Sequence, residues 1–259
     1  MALTPAELEQ LRRAKALLEN PSLAAKVTDI IGKPLEKAMN LLPRQAADTV
    51  HLAVNRALQR ALEVAMSTTG SGPTAMSRDR WHKLAGATSG AVGGFFGLPG
   101  LTVELPVTTV IMLRSIGDIA RSEGHDLADG ATRVACLEVF ALGGSSTKDD
   151  AAETGYYAVR AAMASLISDA VQHVAARGVA ARGTPVLMRL VEKIAARFGL
   201  VVQEKVALEM FPVVGAVSGA LINTVFMDHF QNAARGHFIV RRLERAHGVR
   251  EVREAYESL

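Results

Sequence analysis

The residues that could do chemistry lie mostly in one late stretch of the chain. Asp228, His229 and His237 follow one another there, and Glu104 and Arg114 are candidate neighbours from an earlier apolar stretch. An acid and a histidine in one cleft could act as general acid and general base, which would favour a hydrolase. The alternative is a structural network of ion pairs and helix caps, because buried charges are usually paired.

The same residues make a poor metal site. His229 and His237 are eight positions apart and share a helix face only roughly, whereas a bound metal ion needs three or four converging ligands. Cys136, the only cysteine, lies in an apolar run, and the sequence contains neither His-Glu-x-x-His nor Gly-x-Ser-x-Gly. We therefore expect no metal and no cofactor, and whether the protein is an enzyme stays open.

Glu104 is the one ionisable residue between Lys83 and Arg114. An ionised group in such apolar surroundings is costly unless something compensates its charge. We therefore expect Glu104 to be buried and paired with a cation, and the alternative is that it caps a helix opened by Pro106, where the helix dipole favours a negative charge. The candidate cations are Arg114, His229, Arg235 and His237.

The stretch that carries Glu104 predicts a glycine-rich apolar helical hairpin. Gly86, Gly90 and Gly94 lie four positions apart, so they share one helix face and allow a neighbouring backbone to approach closely. Residues 98–100 (Leu-Pro-Gly) are expected to form the turn, with Pro106 in the first turn of the second helix. Such a hairpin could cross about 30 Å of hydrocarbon or form two buried helices. The glycine row is thus a candidate surface for lipid or a partner helix, or a packing contact inside a soluble bundle.

The rest of the chain is also helical in its pattern. Residues 4–7 form a capping box, residues 44–66 carry an apolar stripe at helical spacing, and no alternating run of strand length occurs. We therefore predict an all-α helical bundle. Its expected parts are an N-terminal helical arm (1–68), a loop (69–78) and a helical domain (79–259).

Composition and charge favour a membrane surface over nucleic acid as the partner. Apolar residues make up 49% of the chain, the mean hydropathy is +0.18, and the net charge of +3 is too small to imply nucleic acid. Arg241, Arg242 and Arg245 lie in a basic C-terminal helix, and each could contribute about 1 kcal/mol at an anionic lipid surface unless the helix face is simply solvated.

The start of the chain resembles no secretory signal, and a single cysteine suits a reducing compartment. We expect a cytoplasmic location at the inner face of the membrane.

Several short segments of the sequence resemble those of the EcsC family of bacterial proteins. They are Glu104-Leu105-Pro106 with Met112–Ile116, then Glu138–Gly144, then Arg197-Phe198-Gly199, and finally Asn223 with Phe226–Phe230 and Arg235–Phe238. The resemblance covers roughly residues 81–256 and leaves the N-terminal arm outside. Because the family is named for a protein encoded beside an ABC transporter, the resemblance implies a membrane-linked role, and it supplies no settled activity.

Three functions are compatible with the sequence. We favour a membrane-associated accessory or regulatory protein that binds lipid or a membrane protein partner, with self-association left open. The second is a hydrolase that uses the acid and histidine residues, and the loose peptidase label of some EcsC family members implies that it would be peptidase-like. The third is a soluble helical protein that holds an apolar ligand between helices rich in small residues.

Overall fold

Eight helices and no strand form the part of the chain that the computed structural model describes, namely residues 3–19, 44–67, 97–143, 155–178, 183–209 and 215–259. In chain order they are α1 (Pro5–Leu18), α2 (Arg44–Ser67), α3 (Gly97–Ser122), α4 (Gly130–Leu142), α5 (Tyr156–Arg177), α6 (Pro185–Glu209), α7 (Gly215–His247) and α8 (Val249–Ser258). The all-α prediction is confirmed. Gly86, Gly90, Gly94 and the 69–78 loop lie outside the described residues, so the hairpin's glycine row and the domain division stay predictions.

The main core forms where α2, α3, α4, α6 and α7 meet. Its centre is a cluster of aromatic rings in contact, formed by Phe140, Phe198, Phe226 and Phe230. Helix α2 contributes the stripe predicted from its spacing, and its buried members include Val50, Val54, Leu58 and Leu62. Burying a side chain of this size stabilises the fold by about 1.5–3 kcal/mol. The apolar faces, rather than intrinsic helix propensity, therefore hold these helices together.

Helices α3 and α7 run side by side in the same direction. Gln231 Nε2 donates a hydrogen bond of 2.8 Å to the Ser115 hydroxyl, and seven positions further along α7 the carbonyl of Phe238 lies 3.1 Å from the His125 ring. Residue numbers therefore rise together along both helices. The N-terminal half of α3 lies level with the start of α7, and the end of α3 lies level with His237.

The predicted start of α3 is wrong. Residues 98–100 do not form a hairpin turn, because α3 begins at Gly97 and continues through Pro106 to Ser122. A proline at position 99 fits the first turn of a helix, where backbone N–H groups have no intrahelical partner. Pro106 removes one hydrogen bond inside the helix, and the buried neighbours Leu101 and Leu105 anchor the chain on both sides of that gap. Within the described residues, no helix is long and apolar enough to cross a membrane.

Helix α1 packs across the C-terminal half of α7, where Gly236 leaves room for it. A Cβ atom added at Gly236 would lie 2.6 Å from the Leu18 side chain and 2.9 Å from the Ala14 carbonyl oxygen. Around this crossing, residues of α1, α7 and α8 form a second, smaller core with Tyr156. The contact between α1 and α7 therefore depends on a residue without a side chain.

We expect Gly236→Ala to destabilise the protein by about 1–3 kcal/mol, because a backbone carbonyl cannot move aside as a flexible side chain can. Thermal or denaturant unfolding measures this change. Gly199 is the matched control, since it also lies inside a helix and a Cβ there would meet nothing within 4 Å. Gly199→Ala should be neutral or gain up to about 1 kcal/mol from helix propensity. Equal stabilities for the two variants would show that α1 does not approach α7 this closely.

Candidate functional site

Glu104 forms a buried ion pair with Lys205 of helix α6. The Nζ atom of Lys205 donates a hydrogen bond of 2.8 Å to Glu104 Oε1, and the Lys205 side chain is 0% exposed. The prediction that Glu104 is buried and paired is confirmed, whereas the candidate cations named for it are wrong. Lys205 belongs to an otherwise ordinary amphipathic segment of sequence, so no local pattern marked it as the partner.

The structure does not bring the predicted polar residues into one cleft. Glu104 lies 18 positions before the end of α3 at Ser122, which is about 27 Å along a helix axis. His237 lies level with that far end, as the contact between His125 and Phe238 shows. His229 donates instead to the Gly143 carbonyl over 2.6 Å. Asp228 is half-buried on the same helix. The described residues hold no group of three or more His, Cys, Asp or Glu side chains placed to bind a metal ion.

Arg114 opens onto a cavity of about 260 Å³ between α2, α3 and α4, which we call the α2–α3–α4 cavity. Most of its lining is apolar, and that part consists of Val64, Ala65, Leu113, Gly117, Leu127 and Cys136. Burial raises the pKa of the Cys136 thiol to about 12, so the thiol stays protonated and is a poor nucleophile. This cavity therefore suits binding of an apolar group better than covalent catalysis.

Three arginines and one acid give the α2–α3–α4 cavity a positive charge. Arg121 hydrogen-bonds to Asp118, Arg133 donates to the Met66 carbonyl over 3.3 Å, and Arg114 is exposed at the rim. The buried Nε atoms of Arg121 and Arg133 have no hydrogen-bond partner among the described residues. A buried donor without a partner costs about 1–3 kcal/mol. An anionic group in this cavity would therefore be stabilised by hydrogen bonds from these donors as well as by charge attraction.

A second polar group surrounds Glu138, a residue that the sequence analysis did not select. Glu138 is 1% exposed, and neither of its carboxylate oxygens has a hydrogen-bond partner among the described residues. The nearest nitrogen atoms of basic side chains are His237 Nε2 at 3.5 Å, Arg160 Nε at 3.8 Å and Arg241 Nη1 at 3.8 Å. Burial raises the pKa of Glu138, and the charges of Arg160 and Arg241 oppose that rise. Like Glu104, this acid stands alone in an apolar run, which was the signal that could have identified it.

A chain of hydrogen bonds orients His237 toward Glu138. Arg160 Nη1 donates to the Tyr156 hydroxyl over 3.2 Å, and that hydroxyl lies 3.0 Å from His237 Nδ1. The tyrosine oxygen accepts from arginine and can donate its own proton to Nδ1, an arrangement that places the ring proton on Nε2, facing Glu138. Burial lowers the pKa of His237 well below its ordinary value, so the imidazole is neutral. Glu244 holds Arg160 in place through two hydrogen bonds of 2.6 and 2.9 Å.

Glu138 also borders a cavity of about 330 Å³ between α5, α7 and α8, which we call the Glu138 cavity. Its charged lining consists of Glu138, Arg160, Arg241 and Arg253, and its apolar lining includes Ala161, Ala164, Ile167 and Val249. Arg160 already binds Glu244, and Arg253 binds Glu257 over 2.7 Å. Arg241 has no hydrogen-bond partner among the described residues, so it is the guanidinium available to a ligand here.

The arginines of the predicted basic tail contact other parts of the fold. Arg242 pairs with Glu123 over 3.1 Å, and Arg245 donates to His125 Nδ1 over 3.1 Å. Arg241 faces Glu138, as described above. The acids Glu123 and Glu138 offset part of the positive charge that the sequence analysis assigned to lipid binding. A lipid-binding role for the tail stays a prediction.

We expect Glu104→Gln to destabilise the protein by about 3–5 kcal/mol, because it removes the carboxylate charge that Glu104 places 2.8 Å from the buried Lys205 ammonium. Denaturant unfolding measures the loss. Glu63→Gln is the matched control, since Glu63 pairs with Arg60 on the exposed surface of α2 and should cost only about 0–1 kcal/mol. Changing Lys205 to Met in the Glu104→Gln background should restore much of the loss. A Glu104→Gln variant as stable as the parent would show that the ion pair does not form.

Residues 6–243 of the chain match the sequence model of the EcsC protein family. The match begins within α1 and therefore includes α1 and α2. The resemblance of short segments in the sequence analysis began only at about residue 81. No curated protein and no solved structure was found to be similar to the chain. Because the match covers most of its length, the chain belongs to the EcsC protein family.

Proposed function

We propose that this EcsC family protein is a membrane-associated accessory or regulatory protein that binds an acidic lipid in the α2–α3–α4 cavity. The observation that carries the proposal is the combination of apolar walls with arginines whose buried Nε atoms have no partner among the described residues. Apolar walls favour a hydrocarbon chain, at about 0.8 kcal/mol for each buried CH₂ group. Guanidinium groups favour a carboxylate or phosphate, because such hydrogen bonds are charge-assisted.

The size of the cavity limits how much of a lipid it can hold. Small-molecule sites usually measure about 300–1,000 Å³, and this cavity of about 260 Å³ lies just below that range. It suits the acidic end of a lipid and the first part of its chain. The remainder of the chain would extend outside, so the protein would bind the lipid at the membrane surface rather than enclose it.

Exposed apolar side chains on α3 support an association with the membrane. Val103 and Val107 are four positions apart, and they are 71% and 50% exposed, so they form one apolar strip along the helix. A strip of this kind can enter the boundary between headgroups and acyl chains, while nearby cations attract anionic lipid. The resemblance to a family named for a neighbour of an ABC transporter agrees with a membrane setting at the cytoplasmic face. The hydrolase alternative has less support, because Glu104, His229 and His237 have separate partners.

We expect Arg114→Gln to weaken the binding of a fluorescent fatty acid about tenfold, since the variant removes one charge-assisted hydrogen bond of about 1.4 kcal/mol or more. Arg114 is exposed, so the variant should keep the parent's stability. Fluorescence titration measures the affinity. Flotation with vesicles of phosphatidylcholine alone, or mixed with phosphatidylglycerol, measures membrane binding, which should require the anionic lipid and weaken with added salt.

Arg60→Gln is the matched control, because it removes the same charge from the outer surface of α2 and should leave both measurements unchanged. Val103→Ser combined with Val107→Ser should reduce flotation and leave fatty-acid affinity intact. Changing Arg241, Arg242 and Arg245 together to Gln tests the basic tail in the same assay, with unfolding checked first because all three have protein contacts. Equal fatty-acid affinities for Arg114→Gln, Arg60→Gln and the parent would reject the proposed lipid site.

A further inference from the structure

We propose that the Glu138 cavity is a second binding site, which takes a small organic carboxylate through Arg241 and Glu138. This inference does not rest on lipid binding, because the cavity lies elsewhere in the fold and uses different arginines. Two observations point to a ligand. Arg241 is a lining cation without a hydrogen-bond partner among the described residues, and Glu138 is a buried carboxyl whose two oxygens have none either.

The charges around the cavity select an anion over a cation. Three arginines line it, and only one acid does. A protonated amine could bond to Glu138, but it would lie among guanidinium groups of the same sign. The charged and titratable groups that face Glu138 are Tyr156, Tyr157 and Arg160 on α5, His237, Arg241 and Glu244 on α7, and Arg253 on α8. Glu244 and Glu257 already neutralise Arg160 and Arg253, so Arg241 is left for one negative charge. That charge is Glu138 when it is ionised, and it can be the ligand once Glu138 is protonated.

The geometry at Arg241 and Glu138 favours a carboxylate among the possible anions. A planar carboxylate can accept two parallel hydrogen bonds from one guanidinium group, and a dianionic phosphate would need a second free cation. Ala161, Ala164, Ile167 and Val249 supply an apolar wall beside the charged groups, so the rest of the ligand would be hydrocarbon. A cavity of about 330 Å³ lies within the usual range for small ligands.

Glu138 can stay beside a bound carboxylate only if the two groups share a proton. Two ionised carboxylates in contact repel each other, and one proton between them turns that repulsion into a hydrogen bond. Glu138 would donate this proton from its carboxyl O–H to a ligand oxygen. Burial already raises the pKa of Glu138, which lowers the cost of protonating it. Whenever Glu138 is ionised in the free protein, ligand binding must take up a proton, so affinity should fall as pH rises.

Calorimetric titration of the full chain with hexanoate tests the inference, with hexanol and hexylammonium as probes of the same length. We expect hexanoate to bind, and to lose affinity as the pH rises from about 5.5 to about 8, with a limiting slope of about tenfold per pH unit where Glu138 is ionised in the free protein, because one proton is linked to binding. Titrations in two buffers with different ionisation enthalpies should show proton uptake. Binding of hexylammonium in place of hexanoate, or binding without proton uptake at any pH, would overturn the inference.

Two substitutions separate the roles of the two side chains. Arg241→Gln should weaken hexanoate binding at least tenfold at both pH values. Glu138→Gln should keep the binding and remove its pH dependence, because an amide N–H donates a hydrogen bond at any pH. Arg60→Gln, which changes the distant surface pair on α2, should leave the titration unchanged. Circular dichroism of each variant checks that it is folded.

The same measurements separate this site from the proposed lipid site. If hexanoate binding is lost in Arg114→Gln and kept in Arg241→Gln, the carboxylate occupies the α2–α3–α4 cavity and the present inference is wrong. If it is lost only in Arg241→Gln, the Glu138 cavity binds the carboxylate whatever the outcome of the lipid experiments. Pronounced pH dependence that persists in Glu138→Gln would also contradict the proton-sharing arrangement.

Discussion

Buried charge is the constraint on which the arrangement of this bundle depends. An ionised side chain in an apolar interior is tolerated only where a second helix supplies a compensating group. Glu104 on α3 meets Lys205 on α6, and this pair fixes which helices must be neighbours at one end of the molecule. At the other end Glu138 on α4 lies among His237, Arg160 and Arg241. Helices α4, α5 and α7 therefore have to meet there.

The two ends differ in whether the buried acid has a hydrogen-bond partner. Glu104 and Lys205 are joined by a short hydrogen bond, so this pair has a structural role. The carboxyl of Glu138 is surrounded by cations that stay beyond hydrogen-bond distance. It also borders a cavity. A buried carboxyl that lacks hydrogen bonds and borders a cavity is typical of a binding site, because a ligand in the cavity can supply the missing hydrogen bonds.

Much of the local structure followed from sequence pattern, and the errors occurred where local and tertiary effects compete. The α2 stripe and the capping box at Thr4 are present as predicted. The start of α3 was misplaced because Pro106 reads as a helix beginning, yet burial of the adjoining leucines outweighs the hydrogen bond that proline removes. Glu104 was expected to be buried from its isolation in an apolar run. The same isolation holds for Glu138, which is the one acidic or basic residue between Arg133 and Lys148.

The sequence by itself determined that the chain is helical and that Glu104 needs a partner. Both follow from local physics, since helix hydrogen bonds join residues four apart and the cost of an isolated charge depends on its immediate surroundings. Only the tertiary structure decided that the partner is Lys205, about a hundred positions away. It alone placed Glu138 beside His237 and Arg241 and created the two cavities. These features depend on how helices cross, and crossing is set by the complementary shapes of whole helix faces rather than by any short stretch of residues.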